Sequence, residues 1–242
     1  MNTLYRAAWP LALVALMILS ACSTDISQRQ PENKDEGKAP NASPVSSPAS
    51  APAPAGGTQK AAQPGDGLEV AVFAGGCFWC MEPPFEKLDG VKDAISGYTG
   101  GPEKGPTYKE VSRGKTGHTE AVWVIFDPKK VSYETILKTY WKSFDPTDAG
   151  GQFADRGPHY RPGIFVFNAD QRTKAEASKA ELAKNGPFKK PIVVPIEDAG
   201  DFWIAEDYHQ NFYKTNPSHY KRYSKGSGRV GFIREHWGDQ AP

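Results

Sequence analysis

Two cysteines, Cys77 and Cys80, lie three residues apart in Gly75-Gly76-Cys77-Phe78-Trp79-Cys80-Met81-Glu82. Before them runs an apolar stretch, Leu68 to Ala74, long enough for a buried strand; after them Phe85-Glu86-Lys87-Leu88 reads as helix. The glycine pair gives the backbone freedom for a sharp turn between the two. Cys77 is therefore expected at a helix N-terminus, where unpaired amides and the helix dipole favour a thiolate and lower the thiol pKa. One helical turn later Cys80 returns to the same end, so the pair can form and break a disulfide with little backbone motion. Three chemistries fit such a pair. Zinc needs four ligands and one CxxC supplies two; His118 and His209 lack the paired spacing to complete the set, and no metal is expected. A general thioredoxin-like dithiol oxidoreductase also starts a helix with CxxC, and Val194-Pro195 could supply the proline loop it needs opposite the sulfurs. The third chemistry is a cysteine nucleophile with a dedicated substrate pocket.

The elements that must position these thiols follow in order. Leu68–Ala74 reads as the first strand, and the helix after the cysteines must bend or restart at Pro83-Pro84, since neither residue donates an amide. Val91–Tyr98 is the second strand, Tyr108–Ser112 a turn of helix. His118–Asp127 is the third strand, with Val122, Val124 and Phe126 on one face. Ser132 can cap a helix whose inner side carries Ile136, Leu137, Tyr140, Trp141 and Phe144. Asp145–Pro162 is a loop too long to be idle. Ile164–Phe167 is the fourth strand, Asp170–Asn185 a helix closed by Gly186, and Ile192–Ile196 a last short strand. Ala205–Lys214 holds a helical turn or two. Pro217–Pro242, rich in Gly, Tyr and basic residues, reads as a coil tail wrapped on the surface. The expected fold is α+β, a two-layer ferredoxin-like βαββαβ sandwich with added helices and that long coil tail.

The front quarter of the chain is of another kind. The chain has 242 residues, 29 basic, 28 acidic and 3 cysteines, with net charge +1, a balance that excludes an electrostatic nucleic-acid footprint. Residues 1–21 read as an export signal: Arg6, the short apolar segment Leu11–Leu19, then Ser20 and Ala21. The segment is too short for a stable membrane span. Leu19-Ser20-Ala21-Cys22 resembles the lipobox of bacterial lipoproteins, which implies cleavage before Cys22 and attachment of lipid to it. The expected location is the bacterial cell envelope, with Ser23 favouring the outer membrane facing the periplasm over the inner one. Residues 22–67 lack aromatics and are rich in Pro, Ala, Ser and Gly, so they read as a disordered tether. Residues 68–242 form the one folded domain, expected to be a monomer. With Cys22 lipidated, Cys77 and Cys80 are the thiols left in an oxidising compartment.

The domain carries a wider resemblance. Gly76-Cys77-Phe78-Trp79 with Glu82, Gly97-Tyr98-Thr99-Gly100-Gly101, Pro106-Thr107-Tyr108, Gly114-Lys115-Thr116-Gly117-His118-Thr119-Glu120, Phe126-Asp127-Pro128, Asp145-Pro146-Thr147 and Ala205-Glu206-Asp207-Tyr208-His209-Gln210 together resemble the A-type peptide-methionine sulfoxide reductases. The resemblance spans about residues 70–237. It implies reduction of methionine-S-sulfoxide, free or in proteins, by a thiol donor and without a bound cofactor. It makes Cys77 the nucleophile, Glu120 the proton donor, and Tyr108 and Tyr160 hydroxyl donors to the sulfoxide oxygen. Phe78 and Trp79 would wall the S-methyl pocket, and Asp155 would hold the substrate backbone nitrogen. Glu120 can be an acid near neutral pH only if burial raises its pKa.

Several positions depart from the family pattern. The glycine-rich tail Gly226–Gly231, where many members keep recycling cysteines, has none, and Cys80 stands where many members have glycine. Cys80 is therefore expected to resolve a Cys77 sulfenic acid as a disulfide, which a thioredoxin-like protein then reduces. His159 stands where glutamine is expected, and Phe144 where histidine is common.

Overall fold

The computed structural model describes residues 58–65 and 67–242. The signal segment, Cys22 and most of the tether lie outside the described residues. Strand β1 (Glu69–Ala74) and helix α1 (Phe78–Glu86) flank the glycine turn. Strand β2 (Val91–Thr99), helix α2 (Tyr108–Val111), strand β3 (Thr119–Phe126) and helix α3 (Tyr133–Trp141) follow. Then come a two-residue hairpin, β4 (Gly151–Gln152) with β5 (Asp155–Arg156), strand β6 (Gly163–Val166), helix α4 (Ala169–Asn185) and strand β7 (Ile196–Asp198). Strand β8 (Trp203–Ile204) and helices α5 (Phe212–Thr215), α6 (Pro217–Gly226) and α7 (Arg229–Trp237) complete the chain.

The main sheet has the order β7-β6-β1-β3-β2-β8. β3 runs antiparallel between β1 and β2, and β1 antiparallel between β3 and β6, so α1 carries the chain over one strand. β1 is central and buried on both faces, which explains its unbroken apolar run. Ala71, Phe73, Val122, Val124, Phe126 and Ile164 face the helices. Val70, Val72, Ala74, Ala121, Trp123 and Phe165 face the other way, where Phe202 covers them. All the large helices pack on one face, giving two layers. α3 starts where expected: the Ser132 hydroxyl accepts the Thr135 amide at 3.2 Å.

Four expectations need correction. The tail is no coil: α6 begins with Pro217 at its first position and α7 follows after Gly228, whose φ is +98°. The strand expected at Ile192–Ile196 is instead Ile196–Asp198, with Pro191 and Pro195 bracketing the earlier stretch, and it is not the last, since β8 follows it. Of the two outcomes expected at Pro83-Pro84, a bend or a restart, the restart does not occur: both prolines lie inside α1, so the bonds their amides would have given to the Trp79 and Cys80 carbonyls are missing. The folded unit also reaches back before residue 68. The Ile204 amide donates to the Gln59 carbonyl and the Ala61 amide to the Phe202 carbonyl, each at 2.8 Å, with Lys60 opposite Trp203. Residues 58–61, assigned by composition to the tether, are thus a strap along β8.

Candidate active site

The glycine turn delivers Cys77 to the N-cap of α1. Gly76 has φ +84°, and a side chain there would meet Gln152 at 2.6 Å and the Arg229 guanidinium at 2.8 Å. Cys77 and Cys80 are both free thiols, 5% and 3% exposed, and their sulfurs are hydrogen-bonded to each other. The lowered Cys77 pKa expected at a helix start is not what the surroundings produce. Burial comes first, then the hydrogen bond to Cys80 and the neighbouring Glu120, and together they push the Cys77 thiol up. The first amide of the helix is also spent elsewhere: Phe78 N–H donates to Glu120 Oε2 at 3.1 Å. Cys80 moves the other way, held down by its bond from Cys77 and by Arg229.

Glu120 stands on β3 opposite Tyr98 of β2 and is 1% exposed. Burial lifts it to about 8, against the single amide that favours its charge, so it carries a proton at neutral pH. Tyr108 and Tyr160 reach the same place from different loops. Glu206 fixes the first by accepting from the Tyr108 amide at 2.8 Å while its other oxygen takes the Tyr98 hydroxyl at 2.9 Å. Tyr160 ends a 3-10 turn, Pro158–Tyr160, that the Thr119 hydroxyl pins beside Glu120 through the His159 and Arg161 carbonyls at 3.2 and 3.0 Å. Burial, and after it the nearness of Glu120 and Cys77, raise both phenols, so both keep their hydrogens.

Asp155 sits in the β4–β5 hairpin. Its neighbour Arg156 pairs with Asp148 at 2.5 Å, which leaves Asp155 to accept from the Tyr223 hydroxyl at 2.6 Å. Tyr223 also stands near enough to Cys77 for the two groups to influence each other's titration, so α6 brings the hairpin and the nucleophile together. Phe78 is 1% exposed and tilted against His209 and Tyr98, with centroids 4.9 and 5.9 Å away. Trp79 is half-buried, stacked on Phe212 at 3.7 Å, and donates its indole N–H to His209 Nδ1 at 3.1 Å. His209 is thereby a neutral buried ring, brought down to about 3 by burial. Gln210 bonds the Ser96 amide and carbonyl, and Glu82 accepts from the Asn211 amide at 2.9 Å. These residues hold the segment after β8 against the sheet.

The structure thus brings together Cys77, Cys80, Glu120, Tyr108, Tyr160 and Asp155, with Phe78 and Trp79 along one side. Neither His118 nor His209 joins the sulfurs as a metal set: His118 binds the Gly101 amide and the Glu103 carbonyl. Val194-Pro195 does not face them either, since the Pro195 carbonyl accepts from Ile164 of β6. Two polar residues at the site were missed from sequence, Tyr223 and Arg229. Both lie in the tail read as coil, and the Pro217 start and Gly228 stop were the signals available.

Comparison with known proteins agrees with this arrangement. The family model described as "Peptide methionine sulfoxide reductase" matches residues 69–241. The chain belongs to that family. It is 57% identical over 170 residues to "Peptide methionine sulfoxide reductase MsrA" of Bacillus subtilis, covering 70% of this chain and 96% of the relative. A second such relative, MsrA 2 of Staphylococcus aureus strain Mu50, is 52% identical over 172 residues, 71% of this chain and 97% of its own. Among solved structures, methionine sulfoxide reductase A of Corynebacterium diphtheriae aligns with TM-score 0.54 at 31% identity, over 63% of this chain and 77% of that one. Reduced Mxr1 of Saccharomyces cerevisiae aligns with TM-score 0.60 at 27% identity, over 64% and 90%.

Proposed function

We propose that this enzyme reduces methionine-S-sulfoxide, free or in proteins, to methionine. The observation that carries the reading is a reduced Cys77 with a protonated, buried Glu120 on one side and the Cys80 sulfur on the other. A sulfoxide sulfur becomes a good electrophile only when its oxygen is protonated or hydrogen-bonded. Glu120 supplies the proton, and Tyr108 and Tyr160 supply hydroxyls. Cys77 attacks the sulfur, the S–O bond passes its oxygen to Cys77, and methionine leaves; Cys77–SH and the sulfoxide become Cys77–SOH and the thioether. Cys80 then displaces that oxygen as water and forms the Cys77–Cys80 disulfide, which a thioredoxin-like dithiol reduces. Asp155 receives the substrate backbone nitrogen, and Phe78 and Trp79 flank the S-methyl group.

The cell-envelope location belongs to the same proposal and is supported by the sequence around Cys22. A Cys22→Ala protein should leave the membrane fraction, and retention there overturns the anchor. The reaction is tested by giving the protein dithiothreitol and each sulfoxide epimer. Consumption of the S form is expected; consumption of the R form alone refutes the reading. A Cys80→Ser protein should release about one methionine per enzyme without reductant, the stoichiometry of a single sulfenic acid, and then stall with thioredoxin.

A further inference from the structure

Helix α6 turns one face to two parts of the site at once. His219 and Tyr223 lie four residues apart on it, and both set their rings edge-on to Trp79, with centroids 6.0 and 5.7 Å away. Tyr223 reaches further. Its hydroxyl donates to Asp155 Oδ2 at 2.6 Å, the length of a charge-assisted bond to a carboxylate. Burial, ahead of the neighbouring acidic groups, raises the phenol, so it keeps the proton it donates. Among the described residues no amide or side chain takes the other oxygen, Oδ1, and the adjacent Arg156 is held by Asp148. Strand β5 is two residues long and pairs with β4 through the main chain, so the hairpin itself leaves the Asp155 carboxylate free to turn about its side-chain bonds. The Tyr223 hydroxyl is what fixes it.

We infer that Tyr223 is the positioning residue that sets a preference for sulfoxides carrying a backbone nitrogen: it holds Oδ2 of Asp155 and so presents Oδ1 to that nitrogen, at a fixed place relative to Trp79. This inference rests on the reading of Asp155 as the group that receives the backbone nitrogen. A carboxylate held in one rotamer before the substrate arrives removes an ordering cost from binding. A phenol does this without cancelling the negative charge that draws an N–H donor. The backbone nitrogen takes no part in bond making at sulfur, so its anchor acts on binding rather than on the chemical step. A sulfoxide without that nitrogen gains nothing from the anchor.

The test compares two substrates. N-acetyl-methionine-S-sulfoxide has the nitrogen; dimethyl sulfoxide has the S–O and methyl groups without it. Each is given with dithiothreitol to wild type and to Tyr223→Phe, which loses only the hydroxyl and keeps the ring against Trp79. Asp155 is half-buried, so its freed oxygen can pass to water and the fold is retained, as far-UV dichroism checks. The loss of kcat/KM should be about tenfold greater for the acetylated substrate, the scale of a lost hydrogen bond to a charged group, and should lie in KM rather than kcat. Asp155→Ala should show the same substrate dependence, and adding Tyr223→Phe to it should not widen the difference. Tyr223 also stands near Cys77, but a loss through the nucleophile or through the fold would be shared by both sulfoxides. An equal loss on both therefore overturns the inference. So does tighter binding of the acetylated substrate by Tyr223→Phe, which would make the hydroxyl its competitor for Asp155. If Asp155→Ala treats the two substrates alike, the reading of Asp155 fails, and the inference with it.

Discussion

At Cys77 the start of a helix and the protein around it pull in opposite directions. Local sequence favours a thiolate, but the first amide of α1 goes to Glu120, and burial outweighs what remains. Glu120 gains from the same burial, because a carboxyl raised to about 8 has a proton to give. Glu120→Gln should cut single-turnover methionine release by about 10²–10⁴-fold, the usual worth of a positioned acid. An unchanged burst rate would remove Glu120 from the reaction. In wild type the same rate should decline as pH rises through about 8. Stability carries the same sign. Glu120 at about 8 and Glu82 at about 7 keep protons in the fold that the unfolded chain gives up near 4.5, so their contribution falls as pH rises across that window. His209, at about 3 against 6.5, adds stability as pH rises between those values. Urea unfolding at about pH 5 and about pH 8 should show Glu120→Gln losing less stability over that interval than wild type. Glu120 and Tyr108 were legible because each sits in a long ordered motif, whereas Tyr160, in the loop Asp145–Pro162, followed from the resemblance alone. Tyr223 and Arg229 were not legible, since a lone tyrosine or arginine in a basic, glycine-rich stretch looks like surface.

Element by element, legibility followed periodicity. β1 and β3 announced themselves by apolar runs and alternation, and α3 by Ser132 and its apolar side. α6 has few apolar residues on any repeat, and the short run Val230, Ile233 and Trp237 of α7 is interrupted by Gly231 and charged residues; the fully buried positions of the two helices are single polar ones, Ser224 and Arg229. The tail owes its structure to tertiary contacts such as Tyr223 with Asp155 and the Arg229 carbonyl bonds, which no local pattern encodes. β8 is two residues long, below the reach of any period. The β1–α1 turn is the element most exposed to a small change. Gly76→Ala would force a Cβ against Gln152 and Arg229 at a positive φ, and should cost about 1–3 kcal/mol in chemical denaturation. A neutral result would mean that the turn can relax without them.

For the whole molecule, composition divided the chain at residue 67, whereas backbone pairing divides it earlier. Low apolar content predicts poor self-packing but says nothing about pairing to a waiting strand, since the Gln59 and Ala61 bonds are made by the main chain. Lys60 adds an ion pair with Asp201 at 2.6 Å, and the Thr58 hydroxyl donates to the Pro106 carbonyl in the loop before Tyr108. The strap therefore closes the β8 side of the sheet, where free amide and carbonyl groups would otherwise face outward. A protein beginning at residue 68 should show a lower Tm and concentration-dependent association in light scattering, while one beginning at residue 58 should stay monodisperse. Identical behaviour of the two would leave the strap without that role. The segment that leads into the domain thus occupies the sheet edge that a second copy could otherwise join.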